Sequence, residues 1–449
     1  MIKNFMENFR PYYDNFINDL SNLLRIPSVL DAYKENSTEP FGKGNKEALE
    51  FMLELGKKHG FKAVNIDNYA GFLEFGEGSK VLLILCHLDV VPATGKWTNP
   101  PFDPIIKENR IYARGAIDDK GPLMASFYAL KRLKDEGFNP NMRIRFFFGC
   151  DEESGSRCLE RYIEKYGECD YGFSPDANFP CIYAEKGISA ELISGKDNDS
   201  NLVSFDSGTV SNVVPDKAVA TIKNLNLKNE FSKYLSTNNL KGEIEGNTYT
   251  LYGKSAHGSI PEKGINALLH LARFLNKYIN NNFLSFLDSE FDDFYGENLK
   301  IAHIDQEMGR VSNNIAVAKF NDNEYKIVTN IRYPKGFIFD EKMETLKDHL
   351  KKYNAELKVL GNSTYHYVPK YSHLVQALLK AYRDYTKDFT EPMSIGGGTY
   401  ARDFKNAVAF GAVFPDEAES MHMPDESASI ENLIKSSYII EEAIKNICD

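Results

Sequence analysis

His87 and Asp89 stand two residues apart in LLILCHLDVVP, directly after an apolar run that begins at Leu82. Acidic residues recur in comparable places: Asp118 and Asp119 in ARGAIDDKGP, Glu152 and Glu153 in GCDEESGS, and Asp176 in GFSPDANFP. A second histidine, His422, stands in MHMPDES near the C-terminus. Each stretch alone has an ordinary explanation. Asp118 or Asp119 would suit the start of a following helix, adjacent glutamates usually sit in a solvated turn, and an aspartate after a proline is a common turn residue. Together they supply two imidazoles and several carboxylates, and carboxylates gathered without a cation repel one another. The set therefore points to bound metal.

The elements that must position these residues alternate between helix and strand. KVLLILCH (80–87) and MRIRFFFGCDEE (142–153) are continuous apolar runs of strand length. NKEALEFMLELGKKHGF (45–61) has helical spacing, and GPLMASFYALKRLKDEGF (121–138) predicts a helix opening near Pro122. Unbroken apolar strands between helices indicate an α/β domain with a mostly parallel sheet covered on both faces. Ligands of such sheets bind beyond the carboxyl ends of the strands. Stretches more than 300 residues apart in the chain can thus meet in one crevice.

From about Gly187 the pattern changes. AVATIKNL, NTYTLYGKSAH, KIAHIDQEMGRVSNNIAVAKFND and EYKIVTNIRYP alternate as one-sided strands, with a helix near GINALLHLARFLNKYI. After about Ser372, HLVQALLKAYRDYT, the run NAVAFGAVF and ENLIKSSYIIEEAIKNI return to the first style. The expected organisation is a discontinuous α/β domain, 1–186 with 366–449, interrupted by an inserted α+β domain at 187–365.

The chain has 449 residues and a formal net charge of −11, which disfavours nucleic acid and anionic membrane as partners. Its N-terminus lacks the apolar stretch of a secretory signal, so a cytoplasmic location is expected. The six cysteines show no C-x-x-C pair, which argues against a structural zinc ribbon.

The ordered motifs HLDVVP, Trp97, Pro101–Phe102, ARGAIDDKGP, DEESGS, SPDANFP and MHMPDE resemble those of the co-catalytic di-zinc metallopeptidases. That family includes aminoacylases, desuccinylases and glutamate carboxypeptidases. YARGAIDDKGP, SPDANFP and GGGTYAR (396–402) are most similar to its PepV-type dipeptidases. The resemblance implies two divalent ions per chain, zinc with manganese or cobalt as alternatives. It assigns His87 and Asp176 to one ion, Glu153 and His422 to the other, and Asp118 as the bridge, because the motif D-x-K-G places the ligand first. Two divalent cations, three ligand carboxylates and one hydroxide sum to zero charge. Asp89 is then expected to hold the His87 imidazole through its carboxylate. Glu152 would be the general base acting on a metal-bridging water. The peptide bond beside Asp118 is expected to be cis.

The same resemblance makes the discontinuous domain catalytic and the inserted one a lid domain, and gives the lid its residues. His257, in YGKSAHGSIPEKGINA, would stabilise the oxyanion, Asn212 would contact substrate, and Arg332 would grip the free carboxylate of a dipeptide. Gly397 would let backbone approach the ligand. A lid of this length supplies its histidine from the same chain, so a monomer is expected. The implied function is a metal-dependent dipeptidase acting on unblocked peptides, with an N-acyl-amino-acid amidohydrolase on the same site as the alternative. A non-catalytic metal- or peptide-binding protein and a carboxylate-pair glycosidase rank behind it. Cys158 and Cys181 follow site loops, which raises the idea of a redox-sensitive disulfide against the simpler reading of two unrelated thiols.

Overall fold

The strand Val81–His87 is buried at every residue, as an apolar run without polar alternation requires of a sheet covered on both sides. The computed structural model describes residues 5–198, 200–418 and 420–448. The chain divides into two units. One comprises Met1–Ala184, Tyr367–Met393 and Gly398–Asp449, the other Glu185–His366 with Ser394–Gly397.

In the first unit Val81–His87 pairs in parallel with Arg143–Gly149, setting His87 opposite Gly149. On its other side it pairs in parallel with Tyr171–Ser174, which in turn pairs in parallel with Ala407–Ala409. The hairpin Lys62–Ile66 and Ala70–Phe75 adds an antiparallel edge. The sheet is therefore mixed, parallel through its centre.

Alternate side chains serve the two faces. A Cβ on Gly71 would lie 2.7 Å from Phe148 and 2.9 Å from Leu49 of the helix Lys43–Lys58, so that helix lies close against the sheet. Phe147 points the other way, with its ring 5.3 Å from Tyr162 of the helix Arg157–Tyr166. The helix Lys120–Asp135 opens two residues before Pro122. Its Arg132 pairs with Glu441 of Ile430–Cys448, and its Tyr128 donates to Asp19 of Phe5–Leu24 at 2.7 Å.

The second unit is an eight-stranded antiparallel sheet. Its order is Lys241–Glu245, Thr248–Tyr252, Lys217–Ile222, Leu202–Ser207, Ser312–Asn321, Glu324–Tyr333, Gly187–Lys196 and Ala355–Ser363. Burial alternates along Gly187–Lys196, as one-sided packing demands. Helices Ala267–Asn276 and Asn282–Glu290 contribute Phe274, Phe283 and Phe286 to the core. Each starts at an asparagine whose side chain accepts a first-turn N–H, a cap that contributes about 1 kcal/mol.

Two sequence expectations differ from the fold. The run from Lys300 is not one strand: the Asp305 carboxylate accepts the N–H groups of Glu307 and Met308 at 2.9 and 2.8 Å and turns the chain back. Only Ser312–Asn321 is a long strand there. NAVAFGAVF also breaks, at Gly411, whose φ of +76° suits glycine and whose Cβ position would fall 2.3 Å from the Phe179 ring. Among the described residues no helix is long and apolar enough to cross a membrane.

Candidate metal centre

His87 ends its strand, Glu152 and Glu153 come after the adjacent strand, and Asp176 after the one on the other side. Asp118 sits in the loop before Lys120–Asp135, and His422 in a turn before the strand Ser427–Ser429. The fold gathers all six at one end of the first unit's sheet. Asp118 lies between the two imidazoles: its Oδ1 is 3.0 Å from His87 Nε2 and its Oδ2 is 2.9 Å from His422 Nε2. Asp176 Oδ2 is 3.4 Å from His87 Nε2, and Glu153 Oε1 is 3.1 Å from His422 Nε2. Glu152 joins His87 and Asp176 in a group close enough to share an ion, and His87, Asp118 and Glu153 form another.

The electrostatics describe a site with excess negative charge. Burial raises the pKa of Glu152 well above the ordinary carboxylate value, and it also raises Glu153 and Asp176. For Asp118 burial acts in the same sense, but hydrogen bonds with His422 and His87 hold it well below normal. His87 would be lowered by its burial, yet Asp118, Asp176 and Asp89 raise it well above the usual imidazole value. His422 is raised to about 10, chiefly by Asp118 and then Glu153. Two imidazole nitrogens and three carboxylates are the mixed donor set that divalent transition ions accept, and the residues present fit two such ions.

A layer of buried groups fixes these side chains. His87 Nδ1 donates to the Asp89 main-chain carbonyl at 2.9 Å, while the Asp89 carboxylate is 3.5 Å away. The carboxylate instead accepts the N–H groups of Glu152 and Glu153, each at 3.0 Å. The expected clamp on His87 is therefore the carbonyl of Asp89, because the carboxylate is engaged by the glutamate loop. Asp119 accepts the His87 N–H at 3.0 Å, and the Asp118–Asp119 peptide is cis, as expected. Buried Lys120 donates to the Leu23 and Ile26 carbonyls, and burial lowers its pKa to about 7.

Further residues that the motifs did not single out hold the loops. The Glu426 carboxylate accepts the N–H groups of Ile117 and Asp118 at 3.0 and 3.3 Å and pairs with Arg114 at 2.5 Å, tying the His422 turn to the Asp118 loop. Asp151 receives two parallel hydrogen bonds from Arg157, Nε to Oδ2 at 2.6 Å and a terminal nitrogen to Oδ1 at 2.7 Å, closing the loop that carries Glu152 and Glu153. Their only visible signals in the sequence are the first aspartate of DEE and the last glutamate of MHMPDE.

The remaining predicted residues lie together in the second unit. The Asn212 carbonyl accepts the Gly258 N–H at 2.7 Å, and Val213 forms a bridge with His257. Arg332 donates to Asn330 Oδ1 and to the Gly396 carbonyl, both at 2.7 Å. A Cβ at Gly397 would meet only Ile395, at 3.5 Å. At Gly396 it would fall 2.4 Å from Ser259 Cβ. Cys158 and Cys181 are both buried free thiols. The first lies 2.9 Å from the Tyr400 hydroxyl.

Residues 83–446 match the description Peptidase family M20/M25/M40. A protein of Staphylococcus aureus strain MW2, provisionally named a dipeptidase, is 39% identical over 98% of this chain and 99% of its own length. Human carnosine dipeptidase 1 superposes with a TM-score of 0.62 at 14% identity, covering 99% of this chain and 98% of its own. The di-peptidase Dug1p of Saccharomyces cerevisiae gives 0.59 at 15% identity, covering 99% and 97%.

Proposed function

The chain belongs to peptidase family M20/M25/M40, a family of peptide-bond hydrolases, and from that premise we propose that it is a metal-dependent dipeptidase acting on short unblocked peptides. The observation that carries the reading is Asp118 set between His87 and His422, one carboxylate oxygen to each imidazole. The dipeptidase naming of the full-length staphylococcal relative supports the substrate class.

In this reading His87 and Asp176 hold one divalent ion, Glu153 and His422 the other, and Asp118 both. Zinc is the proposed ion, with manganese or cobalt suited to the same donors. Bound there, such ions supply Lewis acidity that polarises the scissile carbonyl and acidifies a water. Glu152 takes the proton from the attacking water and passes it to the departing amine. Its position beside His87 and Asp176 supports that role. His257 donates a hydrogen bond to the developing oxyanion. Arg332 binds the substrate's free carboxylate through its planar fork, and Asn212 contacts the peptide. The chain is proposed to work as a cytoplasmic monomer, the length of its lid suiting an arrangement in which His257 serves the same chain.

The test compares an unblocked dipeptide with its N-acetylated form, using wild-type protein and Glu152→Gln with zinc or manganese present. Cleavage of the free dipeptide alone, lost by at least about a hundredfold in Glu152→Gln, is expected for a general base. Cleavage of the acetylated form alone would make the chain a deacylase.

A further inference from the structure

Within the second unit His257 has a partner that fixes its ring chemistry. The Ser259 main-chain N–H donates to His257 Nδ1 at 3.2 Å. A nitrogen that accepts an N–H carries its lone pair outward and holds no proton. The Ser259 hydroxyl, 2.7 Å from the same Nδ1, must then also act as donor. Two donors on Nδ1 leave the single ring proton on Nε2.

We propose that Ser259 is a positioning residue that holds His257 as the neutral Nε2–H tautomer, the form in which its other ring nitrogen is a hydrogen-bond donor. This inference rests on the reading of His257 as the oxyanion donor and deepens it. A neutral donor with its proton already in place needs no reorganisation when negative charge develops. Protonating Nδ1 would set a proton against the Ser259 N–H, so the geometry itself opposes the imidazolium. Loss of hydration and then the Arg332 guanidinium act in the same direction, lowering the His257 pKa.

Gly396 completes the device. Its missing side chain leaves room for Ser259, since a Cβ would fall 2.4 Å from Ser259 Cβ and 3.0 Å from its hydroxyl. The Gly396 carbonyl receives Arg332 at 2.7 Å. One glycine thus touches both the serine that orients the oxyanion donor and the arginine proposed for the substrate carboxylate.

The experiment combines dipeptide kinetics with long-range proton–nitrogen spectra of full-length protein labelled with ¹⁵N-histidine, the His257 signals being identified by their loss in His257→Gln. Wild type is expected to show a protonated Nε2 and an accepting Nδ1. Ser259→Ala keeps the main-chain donor at 3.2 Å and loses the shorter hydroxyl bond. It is therefore expected to show a detectable share of Nδ1–H beside the Nε2–H form and kcat lower by about tenfold, the rate equivalent of one net hydrogen bond, with KM little changed. Ser259→Thr, which keeps the hydroxyl, should recover both. Gly396→Ala should disturb the tautomer and also raise KM through Arg332. A pure Nε2–H tautomer in Ser259→Ala, or unchanged kcat, would overturn the proposal. If His257→Gln leaves kcat at the wild-type value, the oxyanion reading fails instead, while the spectra still decide what Ser259 does to the ring.

Discussion

The carboxylate of Asp89 accepts the main-chain N–H of Glu152 at 3.0 Å, and its second oxygen takes the next N–H along the chain. The strand that ends in His87 thereby fixes the proposed general base of the neighbouring strand. One residue serves both sides of the site, through its carbonyl to His87 and its carboxylate to the glutamate loop.

Asp89→Asn tests this directly. An amide offers one oxygen, and its NH2 group would face an N–H donor, so one of the two contacts becomes repulsive. Activity is expected to fall by roughly 10–100-fold, the usual cost of losing a group that orients metal-site residues. Metal content and kcat measured on the same preparation check it. A loss of metal with kcat per bound ion unchanged would place the effect on the proposed ligand Glu153 rather than on Glu152.

Arg157 and Asp151 close the same loop from its other end. Arg157→Ala is expected to lower kcat about tenfold and to lower Tm as well, because it leaves the fully buried Asp151 carboxylate without its cation. Arg157→Lys keeps the charge but not the fork, and should fall between. Steady-state kinetics and thermal melts read both.

Glu191 gives the second unit a pH dependence. Burial raises its pKa to about 7, against the opposing hydrogen bonds from Ser189 and Thr329. A carboxyl whose folded pKa exceeds its unfolded value contributes stability that is complete below about pH 4.5 and is lost as pH rises through 7. Glu191→Gln removes that titration. Relative to wild type the variant should gain up to about 3 kcal/mol between about pH 4.5 and pH 8. Denaturant unfolding at the two pH values measures the difference.

Chelation should destabilise the first unit. Buried carboxylates whose charge no cation offsets repel one another, and an ion held at about a hundred times its Kd stabilises by about 2.7 kcal/mol. A Tm lower by roughly 5–10 °C is expected after chelator treatment, restored by zinc or manganese. Identical melts with and without metal would contradict the repulsion between these carboxylates.

The residues at the strand ends were legible because buried parallel strands leave an unbroken apolar signature, and the residues just after such a run must lie at the sheet's carboxyl edge. His87, Asp118, Glu153, Asp176 and His422 could be placed near one another on that basis, together with the order of their motifs. Which atom of Asp89 meets His87 was not legible, because it depends on where the glutamate loop's N–H groups point. Asp151 and Glu426 were hidden by their proximity to residues with a more obvious chemistry. The close approach of Gly396 to Ser259, a residue far away along the chain, left no mark in the sequence. Alternation alone overran the turn at Asp305, since a carboxylate that accepts main-chain N–H groups leaves no mark on hydropathy.

The most direct measurement of the central claim is dipeptide hydrolysis by metal-stripped protein as zinc is added in counted equivalents, with bound metal determined at each point. No turnover is expected without metal, and full activity only when two ions are bound per chain. Full activity in the stripped protein would contradict a metal-dependent dipeptidase.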